Sequence, residues 1–335
     1  MLPFNRPTLI VVLALVAVIF GLRQWGSAPP EEIRKSRILM DTVVEITVFG
    51  SPSLPLQESV DAAFKEMERI EALTSFFEEK SDLSRLRGDA GFEVSPETAA
   101  IITTGLEIAA ASGGAFDMTL GRLKNIWQIE GDQPRLPQPE EIQEALSGSG
   151  FGALVLEGRR LVRRAPETRI DLGGIAKGYA IDCAIAVLKK AGIEHAAVNA
   201  GGDIRMLGDR RGQPWRIAIQ HPRQPNRYLG RLLVRDVAVV TSGDYERFFE
   251  KDGIRYHHLF DPRTGYPATA SQSVTVLADK AVLADALATA VFVLGPKEGI
   301  ALLDKFPGTE GMIVGADGTP VYTPGFGKLI EWHGN

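Results

Sequence analysis

The chain has one cysteine, Cys183, and that scarcity removes several kinds of protein. A single thiol makes no internal disulfide and no thiolate zinc cluster, and it lies too far from the N-terminus to carry a lipid anchor there. Lys/Arg-rich stripes are missing too. The 37 basic and 42 acidic residues are interspersed, with a net charge of -5, which argues against nucleic acid as a partner. No internal repeat or low-complexity tract breaks the chain, so its bulk reads as one interwoven unit. The glycines of Ile170 to Gly178 have the spacing of neither a dinucleotide fingerprint nor a phosphate loop.

One long apolar run does occur, at the start. Leu9 to Leu22 is unbroken, preceded by Arg6 and followed by Arg23 and Trp25. Its length suits the core of a secretion signal, about 7–15 residues, better than a full span of about 20. The flanks favour a span: Pro29, directly after the small residues Gly26 and Ala28, obstructs cleavage, while Arg23 and Trp25 extend the run to the membrane interface. Residues 1–28 are therefore expected to be an uncleaved anchor, with a cleaved signal as the alternative. Residues 29–36 read as a linker, and residues 37–330 as one domain outside the cytoplasm.

Periodicity gives that domain a mixed α/β character. Ile38 to Phe49 alternates as a strand, Leu56 to Leu73 has helical spacing, and Pro96 to Ala111 is a helix with Ser95 as its N-cap. A short helix is expected near 139–147 and a hairpin around Glu157-Gly158. Ile175 to Lys190 is helical, and strands follow at 196–198, 204–207, 215–220, 232–241, 256–260 and 272–278. Helices are expected from Ala281 to Leu294 and from Lys297 to Lys305, then strands near 312–314 and 321–323.

Three places set residue type against local structure. Asp285 and Thr289 share one face of a helix otherwise made of Ala, Val, Leu and Phe. A carboxylate there either sits on a partly exposed face or needs a cation: a salt-bridge partner, or a hard metal ion that takes carboxylate, hydroxyl and carbonyl oxygens. Ile170 to Gly178 reads as a strand ending in Asp171, paired glycines and a helix start, suited to anionic groups or to a plain turn. In His257-His258-Leu259-Phe260-Asp261-Pro262-Arg263-Thr264-Gly265 the second half is turn chemistry. His258, at a strand end, is either a positioned base or a satisfied structural histidine.

Together these segments resemble the ApbE family, the FAD:protein FMN transferases. The resemblance is carried in order by Met40-Asp41-Thr42, Gly114 to Thr119, Asp171 to Gly178, Asn199 to Asp203, Thr241 to Tyr245, His258 to Pro267 and Asp285 to Thr289, and covers roughly residues 37–330. It implies magnesium ligands at Asp285 and Thr289, joined by backbone oxygens at Gly174 and Ala288. It implies FAD contacts at Met40, Phe77, Ala115, Phe116, Asp117, Asp171, Lys177 and Phe260, with Phe77 stacking on the flavin, and a base at His258. Arg87 departs from the pattern, standing where the family usually has Asn.

The implied reaction is magnesium-dependent cleavage of FAD, with FMN passing to a Thr or Ser hydroxyl of an acceptor protein and AMP leaving. The resemblance also implies acceptors among subunits of membrane redox pumps. With the export signal it implies a bacterial inner-membrane protein whose catalytic domain faces the periplasm. Hydrolysis of FAD to FMN and AMP, or flavin binding without turnover, are the alternatives.

Overall fold

Charged residues rather than apolar ones begin the fold. The structure is a computed structural model describing residues 31–75, 78, 80–85, 91–131 and 133–333. The expected anchor, Phe77 and Arg87 lie outside these residues. Glu31 to Ser36, read as the end of a linker, form instead most of strand β1 (Glu31–Leu39), which pairs antiparallel with β2 (Thr42–Gly50). The middle of its inward face is ionic, which hid it: between Ile33 and Leu39, which pack on the core, Lys35 and Arg37 reach Asp61 at 2.8 and 2.9 Å where a strand normally turns in apolar side chains. The expected strand 38–49 is thus two strands, with Met40 and Asp41 in the turn between them, both at positive φ.

The remaining strands are β3 (Gly91–Glu93), β4 (Leu154–Glu157), β5 (Arg160–Arg163), β6 (His195–Ala200), β7 (Asp203–Leu207), β8 (Trp215–Gln220), β9 (Tyr228–Val234), β10 (Ala238–Gly243), β11 (Phe248–Lys251), β12 (Ile254–His257), β13 (Ser271–Ala278), β14 (Glu310–Gly315), β15 (Pro320–Tyr322) and β16 (Ile330–Trp332). The helices are α1 (Leu56–Thr74), α2 (Asp82–Arg85), α3 (Pro96–Ala111), α4 (Gly121–Trp127), α5 (Pro139–Leu146), α6 (Ala176–Lys190), α7 (Ala281–Leu303) and α8 (Pro324–Leu329).

An eight-stranded antiparallel sheet, ordered β1-β2-β6-β7-β10-β13-β14-β15, organises the fold. Its inner strands are buried on both faces. Val240, Val274, Val276 and Ile313 pack with Phe64, Met67, Leu287 and Val291 of the helical layer. Val239, Leu277, Met312 and Val314 point the other way, onto Trp215, Ile219, Leu232 and Ile330 of a small sheet ordered β16-β9-β8. Two buried faces explain why these strands read as continuous apolar runs. They also explain the expected strand 232–241, which is in fact two: the chain turns at Asp236, φ 45°, leaving the small sheet at Val234 and entering the large one at Ala238.

Helix α7 is the centre of the helical layer. It is apolar all round and long enough to cross a membrane by composition, yet it packs on β10, β13, β14 and α6 inside the fold. The two helices expected here follow each other across a kink at Gly295 (φ 78°, ψ -174°), before Pro296. The Ser95 cap stands as expected, its Oγ accepting from Thr98 N at 3.1 Å. A third cluster joins Leu123 and Trp127 of α4 to Ile142 of α5 and to Phe249, Tyr256 and Phe260. It braces the segment that carries His258.

Candidate active site

The N-terminal ends of α6 and α7, the β1–β2 turn and the segments around 115–130 and 241–260 enclose a cavity of about 260 Å³. It continues into an outer chamber of about 840 Å³ through shared walls that include Lys124, Glu130, Asp171 and Arg247. The inner cavity is lined by Ala115, Phe116, Asp117, Asp171, Gly174, Lys177, His258, Phe260, Asp285 and Thr289, so most of the candidate residues converge although they are spread over 175 positions of the chain. Met40 sits half-buried in the turn next to the lining residue Asp41, its N–H donating to Glu71 Oε1 at 2.7 Å. Ala288 is fully buried in mid-helix and does not line the cavity.

On the helical wall Asp285 is only 5% exposed. Burial, with Asp203 close by, pushes its carboxyl up to about 7, partly countered by Lys177. Gly178 N donates to Asp285 Oδ2 at 2.9 Å. Gly178 is the third residue of α6, whose N-cap is Ile175, so its N–H is one of those a helix start leaves without an intrahelical partner, and Asp285 takes it. Gly174 also lies against Thr289, for a Cβ there would be 3.1 Å from Thr289 Oγ1. Asp285 and Thr289, one turn apart, and the Gly174 backbone therefore share one corner of the cavity, and carboxylate, hydroxyl and carbonyl are the donor types that fit magnesium, which needs few protein ligands. Among the described residues no cluster of three His, Cys, Asp or Glu offers another metal site. Beside this corner Lys177 is ion-paired with the buried Asp203. Burial alone would lower the Lys177 amine, but Asp203 and Asp285 hold it above the usual lysine range.

On the opposite wall the two histidines separate. His257 is buried and satisfied, with Nε2 bonded to the Ala268 carbonyl at 2.9 Å and Nδ1 accepting from Leu259 N at 3.2 Å. His258 faces the cavity. Its Nδ1 donates to the Arg247 carbonyl at 3.3 Å, so in the neutral ring Nε2 carries the free lone pair. Burial, helped by Arg247 and opposed by Glu130, pushes the His258 imidazole down to about 4, which keeps it unprotonated at neutral pH. Arg247 is tied to Glu130 at 2.6 Å, and Lys124 bridges Glu130 at 3.4 Å and Asp171 at 3.9 Å. These three are site residues that motif reading missed. Each is an unremarkable charge in a polar stretch, and Glu130 and Arg247 are 117 residues apart.

Two local expectations change. Ile170 to Leu172 is not a strand; only an isolated bridge links Leu120 to Arg169. Asp171 instead starts a turn, accepting from Gly173 N at 2.9 Å, and α6 begins at Ala176. The strand expected at 256–260 ends at His257, freeing His258 from the ladder and turning it to the cleft. Asp117 Oδ1 accepts from both Thr119 N and Thr119 Oγ1, at 2.8 and 2.7 Å, which fixes the loop after α3.

A model of the ApbE family matches residues 40–313. FAD:protein FMN transferases of Treponema pallidum and Vibrio cholerae are each 34% identical to this chain, over 90% and 88% of it and 90% of each relative. Among solved structures, the ApbE protein of Thermotoga maritima superimposes with a TM-score of 0.83 at 36% identity, covering 90% of this chain and all of that one. The flavin transferase ApbE of Vibrio cholerae does so at 0.79 and 32% identity, with the same coverage. Sequence and fold agree, and the chain belongs to the ApbE family.

Proposed function

We propose that this protein is a magnesium-dependent FAD:protein FMN transferase. The observation that carries the proposal is the placing of a cation corner, Asp285, Thr289 and Gly174, and an unprotonated histidine, His258, on the walls of one cavity. Curated relatives bearing that activity in their names support it.

Asp285, Thr289 and the Gly174 carbonyl would hold Mg²⁺, which supplies charge neutralisation for a pyrophosphate whose oxygens gain negative charge as phosphorus is attacked. Lys177 adds a fixed positive charge at the same end. Across the cavity His258 Nε2 takes the proton of an acceptor Thr or Ser hydroxyl as its oxygen bonds to the phosphorus on the riboflavin side. The bond to the AMP phosphate breaks, and AMP leaves. A hydroxyl is a weak nucleophile at neutral pH, so the base matters. The negative charge of bound FAD favours imidazolium and raises the depressed His258 pKa toward a useful range. Ala115, Phe116, Asp117, Asp171, Met40 and Phe260 border the space left for the flavin nucleotide, and Phe77 is proposed to stack on the ring.

Acceptor proteins are the partners this chemistry requires. The apolar run at residues 9–22 favours acceptors on the periplasmic side of a bacterial inner membrane, among redox-pump subunits. The test is the intact mass of a candidate acceptor after incubation with FAD and MgCl2. A gain equal to one FMN supports transfer; free FMN and AMP with an unchanged acceptor support hydrolysis instead.

A further inference from the structure

Helix α7 carries Asp285 and Thr289, yet its own N-cap, Lys280, provides no side-chain cap. Another helix supplies it. Asp182 Oδ1 accepts from Ala281 N at 2.9 Å, and Asp182 Oδ2 from Val282 N at 3.0 Å, across 99 residues of chain. These are two of the N–H groups a helix start leaves without partners, and the anionic cap suits the positive end of the helix dipole. Asp182 stands one turn after Gly178 on α6, so both meet α7. At Gly178 the two backbones touch: a Cβ there would lie 2.4 Å from the Ala281 carbonyl oxygen. The Gly178 N–H ends on Asp285 itself. One face of α6 therefore grips the start of α7 through Asp182, Gly178 and Asp285 together. A cap from within α7 would seal its end but leave its rotation against α6 unset.

We propose that Asp182 is a positioning residue of the cation site, fixing the rotation and depth at which Asp285 and Thr289 present their oxygens to Gly174. The inference rests on the cation reading above. Magnesium tolerates little departure from octahedral geometry, so a small displacement of α7 appears as weakened binding. Outer partners of metal ligands typically change metal affinity by about 10–100-fold when removed.

The test uses the full chain and MgCl2 as the probe. Thermal midpoints are recorded against MgCl2 concentration without FAD, and AMP release from FAD is measured at the same concentrations. Asp182→Ala is expected to raise the MgCl2 concentration giving half of the stabilisation by about 10–100-fold, with AMP release returning toward the wild-type rate at saturation. Asp182→Asn keeps one acceptor oxygen and falls between. Ser95→Ala, which uncaps α3 at its end remote from Ala115, is the matched control: it lowers the midpoint and leaves the MgCl2 response in place. Asp182 variants that titrate like the wild type, or that lose activity no MgCl2 concentration restores, overturn the proposal. If Asp182→Ala does not fold, Asp182→Asn decides by the same two criteria. A wild type whose midpoint and AMP release ignore MgCl2 overturns the cation reading first, and this inference with it.

Discussion

Asp285, Thr289 and Gly174 are held on one wall of the cleft by two packed helices, whereas His258, on the other, hangs from the backbone of Arg247 and a chain of surface-reaching charges. The helical wall is preorganised by burial: Asp285 cannot move without breaking the Gly178 bond, and its charge is costly until a cation arrives. The histidine wall is preorganised by hydrogen bonds and ion pairs open to solvent, so it is softer and tunable by pH. On the proposed function, a site that holds a metal rigidly and also admits a second protein has reason to divide in this way, and each wall fails differently when altered.

The largest effect belongs to the helical wall. Asp285→Ala should abolish AMP release from FAD, by on the order of 10³-fold or more, because the anionic ligand is gone. The metal-free variant should stay folded with a midpoint lowered only modestly, because relief of a buried carboxylate offsets part of the cost of stranding the Gly178 N–H. Unfolding of the variant, or unchanged magnesium dependence, makes Asp285 a structural ion-pair partner instead.

On the histidine wall His258→Ala should lower the transfer rate by about 10²–10⁴-fold while FAD binding persists. His257→Ala should do the reverse, costing about 1–3 kcal/mol of stability by stranding the Ala268 carbonyl and the Leu259 N–H, with turnover per folded molecule much less affected. Rates and unfolding curves for the pair decide which histidine does the chemistry.

Glu130→Gln sharpens the same wall. Glu130 favours the imidazolium of His258, so its removal lowers the His258 pKa further. The acidic limb of the rate profile, where His258 becomes protonated and stops acting as base, should move to lower pH; a shift to higher pH contradicts the assignment. Stability follows the same group. His258 is held near 4 in the fold against 6.5 in a free chain, so between these values the unfolded state binds more protons and stability falls as pH falls. His258→Gln should flatten that part of the stability curve. The smallest expected change is Ser95→Ala, about 1 kcal/mol of stability with no change in rate, because the α3 cap belongs to neither wall.

The same division decides what could be read in the sequence. Asp285 and Thr289 announce themselves because a carboxylate and a hydroxyl one turn apart conflict with an apolar helix. His258 was visible only as half of a pair, and choosing it over His257 took the hydrogen bonds of both. Lys124, Glu130 and Arg247 were invisible, since their meaning comes from tertiary proximity across more than a hundred residues. In the fold, helices with caps or strong periodicity, α1, α3 and α6, fell within a residue or so of expectation. Strand β1 escapes the pattern because ion pairs to Asp61 interrupt its apolar face between Ile33 and Leu39, and α4 because seven residues without a side-chain cap carry little signal.

The central claim is that the cation belongs to the helical wall and the base to the other. Thermal midpoints of the wild type, Asp285→Ala and His258→Ala, titrated with MgCl2 in the absence of FAD, test it directly. The wild type and His258→Ala should gain stability with the same MgCl2 dependence, and Asp285→Ala should gain none. A response that survives in Asp285→Ala, or that is lost in His258→Ala, would place the metal elsewhere and contradict the account.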